Sequence, residues 1–245
     1  MSTDDLPTET GPGMGDDHAD LPARIDAATA VRALAHGLVS RRADVSMLHR
    51  VAAEVEALAA EVEASAARNR LSEMAANPRF AGGLKSKTMS NVVEDGAFVD
   101  LFHDSPVSGS ANPLSIGLRI RRDDDQSVGT VTLAAGWEGA PGRSHGGVVA
   151  ACVDETMGGL LPILGTMAFT GELTLRYRAP CPLGVPVEFR AWLAERDGRR
   201  LHIAASGTGP DGVFVESTAV FIAVDMARLA ALRATQEEVA DDAAT

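Results

Sequence analysis

The residues best suited to chemistry stand in one string, Gly142-Arg143-Ser144-His145-Gly146-Gly147, with Asp154 and Glu155 a short way downstream. The glycine pair opens an apolar run with helical spacing, from Val148 to about Leu161, where Pro162 is expected to end or kink the helix. The first amide N–H groups of such a helix have no intrahelical acceptor. Together with the positive end of the helix dipole they can hold an oxyanion as it develops. Glycine there lets a ligand approach the backbone closely. Asp154 lies about two turns into an otherwise apolar helix, where a carboxylate is costly unless it faces a polar cleft or a partner. Two readings of Asp154 stay open on this ground, a working carboxylate in a cleft and a satisfied structural one. Glu155 points about 100° away around the helix, so only one of the two faces any given cleft.

The same string also satisfies G-x-S-x-G, the nucleophile elbow of α/β-hydrolases, and Asp197 and His202 follow in the expected order. The surrounding pattern argues against that reading. An elbow follows a buried strand directly, whereas Gly136 to Pro141 is turn-like. It also needs alternating strands and helices, which the C-terminal half lacks. Ser144 is expected to be a turn residue before the helix. His36, His49, His103 and His202 show no metal-binding spacing, and neither Cys152 nor Cys181 has a CxxC partner. No metal site is expected.

The elements that must position these groups fall into zones. Ile116, Leu118 and Ile120 alternate, as do Val131 and Leu133, before the helix. After Gly165 the period is two again. Leu173, Leu175 and Tyr177 alternate, then Val187, Phe189, Ala191 and Leu193, then Leu201, Ile203 and Ala205, then a run from Val213 to Val224. Ala179-Pro180-Cys181-Pro182, Asp197-Gly198 and Asp211-Gly212 separate these runs as turns. One apolar helix against an antiparallel meander predicts an α+β layer arrangement.

Upstream, Leu21 to Arg70 is Ala-rich with helical periodicity. Val45, Leu48, Val51, Val55, Leu58 and Val62 form one apolar stripe, and Ile25, Val31, Leu34 and Leu38 a weaker one. Gly37 and Ser40-Arg41-Arg42 between them predict a helical hairpin, packing on the main domain or on a partner subunit. The expected division is an acidic tail over 1–20, the hairpin and a connector over 21–87, the main domain over 88–226 and a second acidic tail over 227–245.

The net charge of -12 is concentrated at the ends. Asp4, Asp5, Glu9, Asp16, Asp17 and Asp20 precede the first Lys or Arg, Arg24, and Glu237, Glu238, Asp241 and Asp242 follow the last, Arg233. The body between them is close to neutral. This balance argues against nucleic acid and anionic membrane as partners. No export signal or membrane span is expected, and two unpaired cysteines suit a reducing cytoplasm.

His145-Gly146-Gly147, with Asp154 nine residues after the histidine, resembles the hotdog-fold acyl-CoA thioesterases, and among them the PaaI-like branch of the 4-hydroxybenzoyl-CoA thioesterase superfamily. Thr170-Gly171-Glu172-Leu173-Thr174-Leu175-Arg176-Tyr177-Arg178-Ala179-Pro180 looks like the family's strand after the helix. The likeness covers about Asn112 to Asp225. It implies a curved antiparallel sheet wrapped around one helix, a homodimer or a dimer of dimers, and an active site shared between subunits. It also implies an acyl-CoA substrate and no cofactor. Asp154 would be general base or nucleophile. The Gly146 amide would polarise the thioester carbonyl with Gly147 nearby, His145 would shape the turn, and Thr170 would stand beside the carboxylate. Arg143, Arg176 and Arg178 are candidates for the CoA phosphates.

The sequence departs from the pattern at two points. Some relatives carry Asn or Gln six residues before the histidine to hold the attacking water; here that residue is Gly139, beside Glu138. Strict alternation also places Thr170 with Glu172 and Thr174, away from Leu173, Leu175 and Tyr177, so a bulge is needed to turn it to the helix. Two further readings stay open: an acyl-CoA-binding hotdog protein without catalysis, and a hotdog enoyl-CoA hydratase or dehydratase.

Overall fold

The structure is a computed structural model that describes residues 20–68, 93–99 and 102–224. The proposed tails, apart from Asp20, and the Leu71–Lys87 connector lie outside the described residues. Two helices come first. Helix α1 (Leu21–Ser40) carries Pro22 in its first turn, where the missing N–H removes no helical bond. Helix α2 (Val45–Glu63) starts at Asp44, whose carboxylate accepts the Met47 N–H at 2.8 Å. That bond and the Ser46 hydroxyl hold the Asp44 carboxyl below the usual range. Both helices of the expected hairpin are present, but they differ in what they cover. Helix α1 lies on the main domain and buries Ala28, whereas α2 buries none of its residues.

The main domain runs β1 (Arg119–Asp123), β2 (Gln126–Thr132), a 3-10 turn (Ala135–Trp137), α3 (Gly146–Ile163), β3 (Ala168–Tyr177), β4 (Pro186–Asp197), β5 (Arg200–Gly209) and β6 (Gly212–Ala223). The strands form one antiparallel sheet in the order β1-β2-β4-β5-β6-β3. Its tight hairpins use residues that tolerate left-handed backbone. Asp124 has φ 57° between β1 and β2, and Gly198 has φ 55° between β4 and β5.

Helix α3 packs against β1 to β5, so the sheet wraps the helix in the hotdog arrangement that the resemblance implies. Val149, Val153, Met157 and Leu160 of α3 are fully buried among side chains of the sheet. Phe189 and Phe214 meet edge to face at 5.6 Å within this core. Contact with β1 and β2 depends on Gly159. A Cβ there would lie 2.8 Å from both Ile120 Cγ2 and Ser127 Oγ, whereas Gly158 faces open space. By length and composition alone α3 could cross a membrane, but here its apolar side chains build the core. Pro162 does not stop it. The helix runs to Ile163 and closes with a Schellman turn in which Gly165 (φ 62°) donates to Pro162 O and Thr166 to Leu161 O.

Among the described residues strand β3 is an edge strand, paired with β6 alone. Its ladder is broken once. Thr170 pairs with Phe221 and Glu172 with Val220, which leaves Gly171 as an extra residue in a bulge. Beyond the bulge Leu173, Leu175 and Tyr177 alternate in regular register with β6.

Candidate active site

The bulge decides where Thr170 points. With one residue inserted, Thr170 joins the face of Leu173 and Leu175, toward α3, and its hydroxyl donates to Asp154 Oδ1 at 2.9 Å. The condition that alternation set for Thr170 is therefore met. Asp154 is half-buried. Burial pushes its carboxyl above the usual Asp value, the Thr170 hydrogen bond pulls it down, and the neighbouring Glu155 charge raises it further. Glu155 is turned elsewhere, accepting the Ser105 hydroxyl at 2.6 Å and the Ser108 hydroxyl. The two adjacent carboxylates are thus divided: Glu155 anchors the 105–108 loop, and Asp154 looks toward the edge strand.

At the other end of the helix His145 is the N-cap. Its Nδ1 accepts the Gly147 N–H at 3.0 Å, and its carbonyl accepts the Val148 and Val149 N–H groups at 3.0 and 3.3 Å. An accepting Nδ1 places the proton of the neutral ring on Nε2. The Gly147 amide is consequently engaged, while the Gly146 N–H has no acceptor among the described residues. The phenol of Tyr177 donates to the Gly146 carbonyl at 2.8 Å, which fixes the first peptide of the helix. Burial raises the Tyr177 phenol above its ordinary value. The sequence reading gave Tyr177 no role. The signal available was its inward parity at the end of β3.

Asp154 and Gly146 lie on one helix, eight residues and therefore about 12 Å apart along its axis. One carbonyl cannot meet both groups of the same chain.

The turn before the helix is closely packed. Trp137 O accepts the His145 N–H at 2.8 Å, and Cys181 O accepts the Ser144 N–H at 2.9 Å. A Cβ at Gly139 would lie 2.8 Å from His145 Cα, so no larger side chain fits there in this geometry. Glu138 does not substitute for the absent amide, because its carboxylate accepts the Gly142 N–H at 2.6 Å. Ser144 is buried in this turn, its hydroxyl 3.5 Å from Trp137 O and within no strand–turn–helix elbow.

The three arginines separate. Arg143 is exposed beside the His145 turn and makes no ion pair among the described residues. Arg176 is exposed on the outer face of β3, opposite Glu216 in the ladder. Arg178 is bound to Glu216, with Nε 2.8 Å from the carboxylate. Cys152 and Cys181 are buried free thiols, pushed up to about 12 and about 11, chiefly by burial.

A further contact joins distant parts of the chain. His36 of α1 accepts the Gly136 N–H on Nδ1 at 3.1 Å and meets Trp137 edge to face at 5.7 Å. Four residues earlier, the Arg32 guanidinium donates to the carbonyls of Ser110 (3.2 Å) and Asn112 (2.5 Å). Through His36, helix α1 is pinned to the turn whose next hydrogen bond holds His145, and through Arg32 to the 110–112 segment.

Residues 142–213, which span the helix with its cap and continue through β3, β4 and β5, match the profile of the family described as "Thioesterase superfamily". The chain is similar to Acyl-coenzyme A thioesterase THEM4 of Mus musculus, at 34% identity over 39% of this chain and 44% of that protein. The THEM4 of Xenopus laevis is 33% identical over 35% of this chain and 39% of that protein. The chain spans less than half the length of these curated relatives. Among solved structures, protein RHA08564, a thioesterase superfamily protein, is similar with a TM-score of 0.64 and 27% identity, over 82% of this chain and 95% of that one.

Proposed function

We propose that this chain hydrolyses acyl-CoA thioesters to the free acid and CoA, as a PaaI-like hotdog enzyme. The observation that carries the reading is the Asp154–Thr170 pair at the free edge of β3, where a half-buried carboxylate with raised proton affinity is held in place by one hydroxyl. The printed names of the curated relatives support the substrate class.

In this reading Asp154, ionised, takes the proton of a water that attacks the thioester carbonyl, or attacks that carbonyl itself to form a mixed anhydride that water then cleaves. The carbonyl oxygen gains charge and is stabilised by the unengaged Gly146 N–H at the helix N-terminus. Collapse of the tetrahedral species expels the CoA thiolate, which takes up a proton. His145 keeps the Gly146 amide oriented by holding Gly147. Arg143, free beside the turn, is the arginine best placed for a CoA phosphate.

Because about 12 Å of helix separates Asp154 from Gly146 in one chain, the complete site needs two copies. Strand β3 provides the means: no described strand pairs with the backbone groups of its outer edge. An antiparallel pairing of β3 about its midpoint sets residue 170 of one copy near residue 175 of the other, two residues from Tyr177. Asp154 of one chain then approaches the Tyr177–Gly146 end of the second. The protein is accordingly a homodimer or a dimer of dimers, and its buried free thiols suit a reducing, cytoplasmic setting.

One observation favours a second reading, binding without turnover: Gly139 leaves no side chain to position the attacking water, and none fits. A panel of acyl-CoA thioesters separates the two. Release of free CoA thiol that disappears in Asp154→Ala is the expected result. Saturable acyl-CoA binding with no thiol release would replace hydrolysis by the binding reading.

A further inference from the structure

Two charges on the outer face of β3 have no partner within the chain. Glu172 and Arg176 are exposed there, with Thr174 between them. Among the described residues neither makes an ion pair. Arg176 stands opposite Glu216 of β6, but that carboxylate is held by Arg178. On the other side of β3 lies the edge with which no described strand pairs.

The backbone shows how a second β3 can meet that edge. Thr174 O accepts the Ser217 hydroxyl of β6 at 2.7 Å, and the Arg178 N–H donates to Phe214 O at 2.8 Å. Residues 172, 174 and 176 therefore turn their backbone groups to β6, and Leu173, Leu175 and Tyr177 turn theirs to the edge. Opposite residues of an antiparallel pair share a face, so a two-fold axis in this pairing passes through a residue that meets its own copy. An axis at Glu172 or at Arg176 sets like charges against each other. An axis at Leu173 sets Glu172 against Thr174. One at Leu175 sets it against Arg178, which Glu216 already holds. An axis at Thr174 sets Glu172 against Arg176 twice, and Leu173 against Leu175 twice.

We propose that Glu172 and Arg176 fix the register in which two copies of this chain pair through β3, with the axis at Thr174. The inference rests on the two-copy site proposed above and moves its axis from the midpoint of the strand to Thr174. Gly171 takes no place in the ladder with β6, so the place before Glu172 belongs to Thr170. Counted by these places, Thr170 of one copy lies opposite Tyr177 of the other, and the exposed Phe169 lies opposite Arg178. Thr170 is bonded to Asp154, and Tyr177 to the Gly146 carbonyl. This register thus joins the carboxylate of one chain to the helix N-terminus of the other through two directly opposed side chains. An axis at Leu173 or Leu175 sets Thr170 opposite Leu175 or Ala179 instead.

Disulfide trapping in the full-length protein tests the register, with the unsubstituted protein as control for the two buried native thiols. Thr174 is exposed, and its backbone groups point away from the second strand, the arrangement in which opposed side chains lie closest. Thr174→Cys is expected to form an interchain disulfide under mild oxidation, at least tenfold above Glu172→Cys or Arg176→Cys. In those variants the two copies of the cysteine lie four places apart, about 13 Å. Glu172→Arg and Arg176→Glu are each expected to weaken the dimer about tenfold at low salt in sedimentation, because two opposite-charge pairs become like-charge pairs. The two substitutions together are expected to restore it. Strongest self-cross-linking at position 172 or 176, no interchain product at 174, or a double reversal as weak as the single ones overturns the proposal. Thiol release on the same samples separates it from the reaction. A dimer linked at position 174 that releases no CoA removes hydrolysis and leaves the register standing. Release of CoA by a dimer paired in another register removes the register alone.

Discussion

Asp154 has to be charged to work and is placed where charge is disfavoured. Burial raises its proton affinity in the native state above that in the unfolded chain. A carboxyl shifted upward in this way adds stability at pH values below its unfolded pKa, and that stability is lost as pH rises through the folded value. At neutral pH the ionised carboxylate is therefore a burden on the fold. Asp154→Asn, which keeps an oxygen for the Thr170 hydroxyl, is expected to melt higher at pH 7 while losing on the order of 10²–10⁴ in kcat, the usual size of an acid–base contribution. Calorimetry and a thiol-release assay on the same sample check both halves. Thr170 works against the upward shift. Thr170→Val should move the acid limb of the kcat/KM profile to higher pH, and Thr170→Ser should leave it near the parent. An unmoved limb in the valine variant would remove Thr170 from the site. Of these residues, Asp154, His145 and the glycine pair stand out in the sequence because carboxylate, imidazole and glycine are unusual at the head of an apolar helix. Tyr177 does not, since its contribution is one hydrogen bond to a backbone carbonyl and its residue type is ordinary for a strand.

At the scale of elements, the legible parts are those with a strong period or a sharp turn: α3, the four strands after it, and the hairpins at Asp197-Gly198 and Asp211-Gly212. What escaped are features that depend on a single residue or on a contact far away in sequence. The sequence set a bulge as the condition for Thr170, but nothing in its pattern placed one at Gly171. The clasp between His36 and Gly136 joins residues 100 positions apart, and α1 alone shows only a weak stripe. This clasp matters because the bonds continue from Gly136 and Trp137 to His145. His36→Phe keeps an aromatic edge against Trp137 but leaves the Gly136 N–H without its acceptor. It is expected to cost about 1 kcal/mol of stability and to lower kcat several-fold with KM little changed. His36→Asn, with an acceptor at a similar reach, should recover most of both. Thermal unfolding with steady-state kinetics distinguishes this from simple loosening of α1, which would not be rescued by asparagine.

For the whole molecule, the charge of -12 is a poor guide to what the site will accept, because most of the excess lies in the two ends, largely outside the described residues. The body between those ends is near neutral as a whole, and among the described residues Arg143 makes no ion pair by the His145 turn. Deleting residues 1–19, which keeps the Asp20 cap of α1, is expected to leave kcat/KM for an acyl-CoA within about twofold, since charges beyond one Debye length of ~8 Å are largely screened at physiological salt. A loss of tenfold or more would show that the acidic end takes part in binding or assembly. The separation of tasks along one strand has a last consequence. Residues 172–177 of β3 keep one reading frame against β6, and Thr170 keeps another, with Gly171 as the comma between them. The chain can therefore vary the outward residues of the longer stretch without disturbing the hydroxyl at the carboxylate. Were Gly171 to take a place of its own in the ladder, by contrast, the hydroxyl would turn outward and the site would fall silent with every functional group still present.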